Sequence, residues 1–138
     1  MRLAVSELVV VRHFAMRTLI CVAIIALFTG CQRNEQAYVQ RTVTSVGPVT
    51  LLADSTRLAN EHPDKQGLPV DPAMLPASFR AFTPVETLRY DRSFFIVTVR
   101  SLQHRVGVLV QPLDYPEPTN SPTATHTKLA PGIHFFST

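Results

Sequence analysis

The stretch 93-SFFIVTVRSLQHRVGVLVQ-111 decides the fold of this chain, because two apolar runs flank a short polar turn. The runs cover residues 93–100 and 105–111, and both are rich in β-branched and aromatic side chains. Runs of this length and composition, separated by a few polar residues, are typical of a β-hairpin. The sequence therefore predicts a small antiparallel sheet with this hairpin at its centre.

Alternate residues of each run share one face of the predicted hairpin, so one side can be buried. These sets are Phe95, Val97 and Val99 in the first run and Val106, Val108 and Val110 in the second. An isolated hairpin is marginal in water, so further strands must pair with it. The candidates are residues 86–90, 38–46 and 133–136.

The region before the hairpin gives weaker patterns. Residues 38–46 alternate loosely, with Val39 and Val43 opposite two threonines, and predict a strand that ends at Gly47. Residues 49–60 fit either a helical stripe or a continued strand, and we favour a strand followed by a helical turn.

Prolines divide the rest of the chain. They interrupt residues 62–84 five times, which excludes a long helix there. One short helix is expected over residues 76–82, with Phe79 and Phe82 on one face. Five more prolines lie among Thr, Ser and Asn within residues 112–132, which predicts a long exposed loop. The fold class expected is mainly β or α+β, with a short helix and long proline-rich loops.

This proline-rich loop leaves two interpretations open. It would serve as a polyproline-like ligand for a partner, or as an extended spacer that reaches across the periplasm. The simpler interpretation is a mobile loop. We favour the mobile loop.

The N-terminal region has a pattern typical of an export leader. An uncharged apolar run over residues 18–28 follows Arg17, and it is too short to span a bilayer as a helix. It leads into Phe28, two small residues and Cys31, an arrangement that resembles the lipobox of bacterial lipoproteins. The resemblance covers the first quarter of the chain. It implies cleavage between Gly30 and Cys31, followed by acylation of Cys31.

The resemblance also implies a place in the cell. Two or three acyl chains would give stable anchoring to the membrane. Gln32 follows the cysteine where an Asp would resemble an inner-membrane retention signal, so we expect the outer membrane, with the protein facing the periplasm. The chain would then begin with a leader over residues 1–30, followed by a lipidated, polar tether over residues 31–37. The domain would occupy residues 38–138.

Alternatives remain for the leader. Met16 is a second plausible start, and Cys31 is otherwise a small apolar residue that ends a transmembrane or core helix. Cys21 lies inside the apolar run and would leave with the leader, so no internal disulfide is expected.

The charge distribution argues against nucleic-acid binding. Three of the 13 basic residues and one of the ten acidic residues precede Cys31. The mature part is therefore nearly neutral and has no basic stripe.

No spacing-defined catalytic motif occurs in the sequence, so neither an enzyme, a cofactor nor a metal is expected. Three histidines and one aspartate would suit a metal by residue type, although their separations match no established pattern. They are His104, His126, His134 and Asp114. Ordinary surface histidines are the favoured interpretation.

Two other groups of residues are candidates for binding a ligand. The charged cluster at residues 89–92 suits a carboxylate or phosphate, but a solvated turn with local ion pairs is favoured. Six phenylalanines would line a lipid pocket or, more simply, form the core. They are Phe79, Phe82, Phe94, Phe95, Phe135 and Phe136.

These patterns favour an envelope lipoprotein with a structural or protein-interaction role. Its expected partners are membrane lipid, through acylated Cys31, and an envelope protein. The hairpin would offer an edge for strand addition. The alternatives are a tethered ligand-binding or enzymatic domain and an uncleaved, signal-anchored protein. A flat exposed strand edge would support the interaction role, and a deep aromatic pocket with inward-facing Arg or His would support ligand binding.

Overall fold

The computed structural model describes residues 34–62 and 67–138, and residues 35–138 form one compact unit. Helix α1 covers residues 34–46, and it is followed by α2 (Pro48–Glu61), a 3₁₀ turn (Pro72–Met74) and α3 (Ala77–Arg80). The strands are β1 (Glu86–Tyr90), β2 (Ser93–Arg100), β3 (Arg105–Val110), β4 (Thr125–Ala130) and β5 (Ile133–Ser137). Within the described residues the fold is α+β with one five-stranded antiparallel sheet, and the fold class expected from the sequence is confirmed.

The predicted hairpin is confirmed, and it lies inside the sheet. The strand order is β1-β2-β3-β5-β4, and every neighbouring pair is antiparallel. The β2 strand pairs Phe94 with Val110 and Ile96 with Val108, and a bulge interrupts the register between Val97 and Val99. Two of the three candidate partner segments, residues 86–90 and 133–136, are confirmed as β1 and β5.

The third candidate segment was wrong, because residues 38–46 belong to α1. Val39 and Val43 are four residues apart and are both buried, and Val46 packs beside them, which makes a helical stripe. The Thr42 and Thr44 hydroxyls donate to the carbonyl oxygens four residues earlier. These bonds satisfy the polar groups that suggested a strand.

The strand expected at the start of residues 49–60 was also wrong, because α2 runs without interruption from Pro48 to Glu61. Pro48 occupies the first turn of the helix, where its missing N–H costs nothing. Leu51, Ser55 and Leu58 are buried at spacings of four and three residues. The helical stripe, rather than β propensity, therefore decided this segment.

Of the tether expected over residues 31–37, residues 34–37 are helical. Residues 31–33 lie outside the described part of the chain. The compact unit thus begins about one helical turn earlier than the predicted boundary at residue 38.

The helices pack on one face of the sheet and build the main core. The short helix expected at residues 76–82 is confirmed as α3, with Phe79 and Phe82 fully buried. The Phe79 ring meets Phe94 of β2 edge to face, at a centroid distance of 5.5 Å. Ser78 of α3 donates a hydrogen bond of 2.6 Å to Asp54 of α2, which joins the two helices.

The loop expected over residues 112–132 is shorter than predicted, because Thr125–Ala130 form strand β4. This strand lies at an edge of the sheet, and Pro131 and Gly132 make the turn into β5. Gly132 has a φ of 69°, which a side chain would disfavour. A Pro-Gly pair suits such a two-residue turn, and it allowed a hairpin inside a segment that otherwise resists regular structure.

Candidate functional site

The sheet face opposite the helices carries a second apolar cluster, which we call the outer face. Strand pairing places Leu88, Phe95 and Leu109 side by side on it. Val97, Leu109 and Phe136 are buried there, and Phe95 packs against them. No residue of the described helices belongs to this cluster.

Three aromatic rings cross the outer face as a continuous ladder. Tyr90 meets Phe95 edge to face at 5.5 Å, and Phe95 meets Phe136 in the same way at 5.1 Å. Tyr90 is 49% exposed, so the ladder runs from solvent to a buried floor. An open groove of about 410 Å³ follows these rings and is lined by Leu88, Tyr90, Phe95, Val97, Arg105, Phe136 and Thr138.

The turn of the central hairpin forms the second part of the site. This hairpin tip, residues 100–105, borders an open concavity of about 510 Å³ together with Thr138. Arg105 and Thr138 line both hollows, so the concavity and the apolar groove adjoin each other. The site therefore joins an aromatic floor to a polar, arginine-bearing end.

A carboxylate holds the two arginines of the hairpin tip. Glu86 Oε1 lies 3.3 Å from Arg100 Nη1, and Glu86 Oε2 lies 3.5 Å from Arg105 Nε. The second contact is an ion pair rather than a hydrogen bond, since no hydrogen-bond partner reaches Oε2 within the described residues. The Glu86 side chain is 12% exposed, whereas the arginines are 54% and 43% exposed. The positive charge consequently faces solvent.

The loop between β3 and β4 is tied to the other end of the outer face. Gln111 donates from Nε2 to the carbonyl oxygen of Pro116 at 3.1 Å, and Lys128 pairs with Glu117. Asn120 Oδ1 accepts a 2.6 Å hydrogen bond from the backbone N–H of His126. These bonds tie the loop to Gln111, which directly follows β3, and to β4. The segment favoured as a mobile loop therefore contacts the sheet at three points, and its mobility stays a prediction.

Two histidines lie beside this loop on the outer face. His134 is 3% exposed, and burial lowers the pKa of both His126 and His134 below the usual 6.5. Glu117 raises the pKa of His134 in part, while His126 and Lys128 lower it further. Nδ1 of His126 and Nε2 of His134 are buried and have no hydrogen-bond partner within the described residues. Protonation of either ring is thus costly.

The four residues considered as metal ligands do not converge. His104 lies at the hairpin tip, where its Nδ1 is 3.0 Å from the carbonyl oxygen of Thr138, and Asp114 pairs with Arg92 at 2.8 Å. Within residues 34–62 and 67–138, no three His, Cys, Asp or Glu side chains are grouped to hold a metal ion. His126 and His134 are the two members of this set that are neighbours.

The charged cluster at residues 89–92 forms the β1–β2 turn, and its arginines face different surroundings. Arg89 is 4% exposed, donates to the carbonyl oxygens of His62 and Asp91, and lies over Phe94. Arg92 pairs with Asp114 and lies 4.9 Å from the Tyr115 ring centre. Arg89 therefore braces the turn from inside, which corrects the expectation of a wholly solvated cluster.

The edge expected for strand addition is corrected as well, because β2 and β3 are both central strands. The edge of β1 is covered by residues 67–70, since Val70 N–H donates to Thr87 and Gly67 N–H donates to Arg89. The β4 edge carries Lys128, a register irregularity and the Asn120 contact. These features oppose the addition of another strand.

The sequence did not predict the outer-face groove, although it contains a pattern that indicates a second covered face. Residues 94–97 are four consecutive apolar residues, which indicates a strand with both faces covered rather than one buried side. Phe95 and Phe136 belong to the outer face, whereas Phe94 and Phe135 belong to the main core. The six phenylalanines thus divide between two layers.

The lipobox residues, Gly30 and Cys31 among them, and Cys21 lie outside the described residues. None of the helices described for residues 34–62 and 67–138 is both long enough and apolar enough to cross a membrane.

Searches of protein-family models, curated proteins and solved structures find no match to this chain.

Proposed function

We propose that this chain is a lipid-anchored protein of the bacterial envelope that holds a partner protein through the outer face of its sheet. The observation that carries the interaction role is the aromatic groove, whose floor receives no contribution from the described helices. The anchor rests on the resemblance of residues 28–31 to a lipobox. The outer membrane remains the favoured membrane because Gln32 follows the cysteine.

The composition of the groove suits a protein partner. Tyrosine and arginine are enriched where protein interfaces concentrate their binding energy, and Tyr90 and Arg105 stand at its two ends. The groove is open and shallow, so it would receive one or two apolar side chains rather than enclose a whole small molecule. Protected strand edges leave the face of the sheet as the available surface.

The anchor is tested by intact mass spectrometry of protein extracted from bacterial membranes. We expect a mass that begins at Cys31 and includes acyl chains, and the Cys31→Ala variant should lose both the acylation and the membrane association. An unmodified full-length mass would contradict the lipoprotein assignment and favour the signal-anchored alternative.

The interaction face is tested separately by photo-crosslinking in living bacteria. A photoreactive residue at Tyr90 should give a defined crosslinked species, while one at Val49 should not. Val49 is a matched control because it is 80% exposed and lies on α2, in the helical layer. Equal crosslinking at both positions would argue against a specific interface on the outer face.

A tethered ligand-binding domain is the second candidate, favoured because the apolar groove adjoins the arginine-bearing tip. Native mass spectrometry of the membrane-extracted protein distinguishes the two. A small molecule bound to the wild type and lost in Phe95→Ala would favour ligand binding over a protein partner.

A further inference from the structure

The hairpin tip carries an unusual combination of exposed groups. Leu102 is fully exposed to solvent. Arg100 and Arg105 flank it on the two strands, above the buried Glu86 carboxylate. A single exposed leucine is ordinary on a protein surface. Its position in the fold decides whether it indicates a contact with a membrane or a partner.

The start of the described domain lies at the same end of the sheet as this tip. The hydroxyl groups of Tyr38 and Thr83 share a hydrogen bond of 3.1 Å, which places the part of α1 around Tyr38 beside Thr83. Val85 N–H, two residues later, donates to Val97, and Glu86 follows with its two arginine contacts. Thr83 therefore leads directly into the tip end of β1.

The chain between Cys31 and this end is short. Cys31 and Asn34 are three Cα-to-Cα steps apart, which span at most about 10 Å, since an extended chain covers about 3.5 Å per residue. From Asn34 to Tyr38 the helix advances about 6 Å more. An acyl anchor on Cys31 would consequently keep the Tyr38 end of the domain within about 16 Å of the membrane surface.

We propose that the hairpin tip is a second membrane contact, in which Leu102 enters the lipid interface and Arg100 and Arg105 face anionic phospholipid headgroups. The inference rests on the proposed lipid anchor. One leucine and two arginines are too weak to hold the protein alone, but the anchor supplies a high local concentration of membrane. The two contacts together would fix the orientation of the domain and present the outer face sideways to a partner.

The absence of tryptophan from the chain allows a direct test. The full chain carrying Leu102→Trp is expressed in bacteria, extracted from membranes, and reconstituted in phosphatidylethanolamine/phosphatidylglycerol vesicles with brominated acyl chains. The expected result is a shift of emission to shorter wavelength and strong quenching by the bromine. Replacing the phosphatidylglycerol with phosphatidylcholine, or introducing Arg100→Gln, should weaken the quenching.

The matched control is Leu113→Trp. Leu113 is 67% exposed and lies near Gly132, at the opposite end of the sheet from the hairpin tip. Its emission should stay that of a residue in water. Equal quenching at both positions, or none at Leu102→Trp in protein whose mass shows acyl chains, would overturn the membrane contact and leave the lipid anchor standing. A mass without acyl chains would overturn the anchor, and the contact with it.

Discussion

A Cβ atom on Gly107 would lie 2.0 Å from the backbone carbonyl oxygen of Ile96 on the neighbouring strand. The carbonyl belongs to β2, next to the bulge between Val97 and Val99, and it cannot move without disturbing the centre of the sheet. Glycine at this position is therefore required by close backbone approach.

We expect Gly107→Ala to lower the free energy of unfolding by about 3 kcal/mol or more, at the upper end of overpacking costs. Urea denaturation monitored by circular dichroism measures it. Gly67→Ala is the comparison, because no atom of the described residues lies within 4 Å of its added Cβ, while its φ of 71° opposes the change. A smaller loss for Gly107→Ala than for Gly67→Ala would contradict the steric argument.

Phe79 ties α3 to the sheet, so its truncation tests the main core. The side chain is fully buried and packs edge to face on Phe94. Phe79→Ala should cost about 3–5 kcal/mol, the usual range for a buried phenylalanine. Val49→Ala, at an exposed helical site, should change stability by less than about 0.5 kcal/mol in the same denaturation experiment.

Asn120 protects the backbone of the edge strand. Its side-chain oxygen accepts the His126 N–H, so Asn120→Ala should accelerate hydrogen exchange at the His126 amide and cost about 1 kcal/mol of stability. Exchange followed by nuclear magnetic resonance measures both. Thr123→Ala removes an exposed hydroxyl contact of the same loop and should leave the His126 amide unchanged. Equal protection in both variants would show that the loop does not shield the strand.

Acidification should weaken the fold through His126 and His134. Burial lowers their pKa in the folded state, so the unfolded chain binds more protons between the two pKa values. The free energy of unfolding is then expected to fall as the pH drops below about 6.5 and to level off once both states are protonated. Lowered pKa values of Asp114 and Glu117 act in a separate, more acidic range, because stability from those carboxylates is lost only as they become protonated.

Denaturation midpoints measured from about pH 7.5 to pH 5 test this pH dependence. The double variant His126→Gln with His134→Gln should show a flatter profile than the wild type. A slope unchanged in the double variant would assign the acid sensitivity to other groups.

The sheet was predictable wherever apolar runs and turn residues agreed. Residues 93–111 carry strong β propensity around a polar turn, and the structure forms the hairpin there. The short helix with Phe79 followed from Pro76 at its start. In these segments local preference and tertiary packing favour the same structure.

The sequence predicted strands where α1 and the first part of α2 lie, because local composition and packing disagree there. Val39, Thr42 and Val43 favour a strand by propensity, but the stripe that Val39 and Val43 form packs in the main core. The β4 strand was hidden among prolines that lie on both sides of it. Propensity is a weak guide in such segments, since burial against distant residues decides the outcome.

The candidate site depends on contacts between distant residues, which explains why the sequence did not reveal it. Tyr90, Phe95 and Phe136 are separated in the chain, and only the register of β1, β2, β3 and β5 aligns them. Glu86 reaches Arg100 and Arg105 for the same reason. The consecutive apolar residues 94–97 indicated that a second face of the sheet is covered, but they did not indicate which residues cover it.

The position of β5 between β3 and β4 has a consequence for the order of folding. The first three strands form a meander whose members are neighbours in sequence, so their pairing closes only short loops. Residues 133–137 must then reach back across more than twenty residues to pair with β3, and β4 joins the sheet only through them. Contacts between distant residues form slowly, because the chain loses the entropy of closing the loop before the contacts stabilise it. A chain still emerging from a ribosome or a translocation channel would form the meander of β1, β2 and β3 early. It would complete the sheet only after residue 137 has emerged.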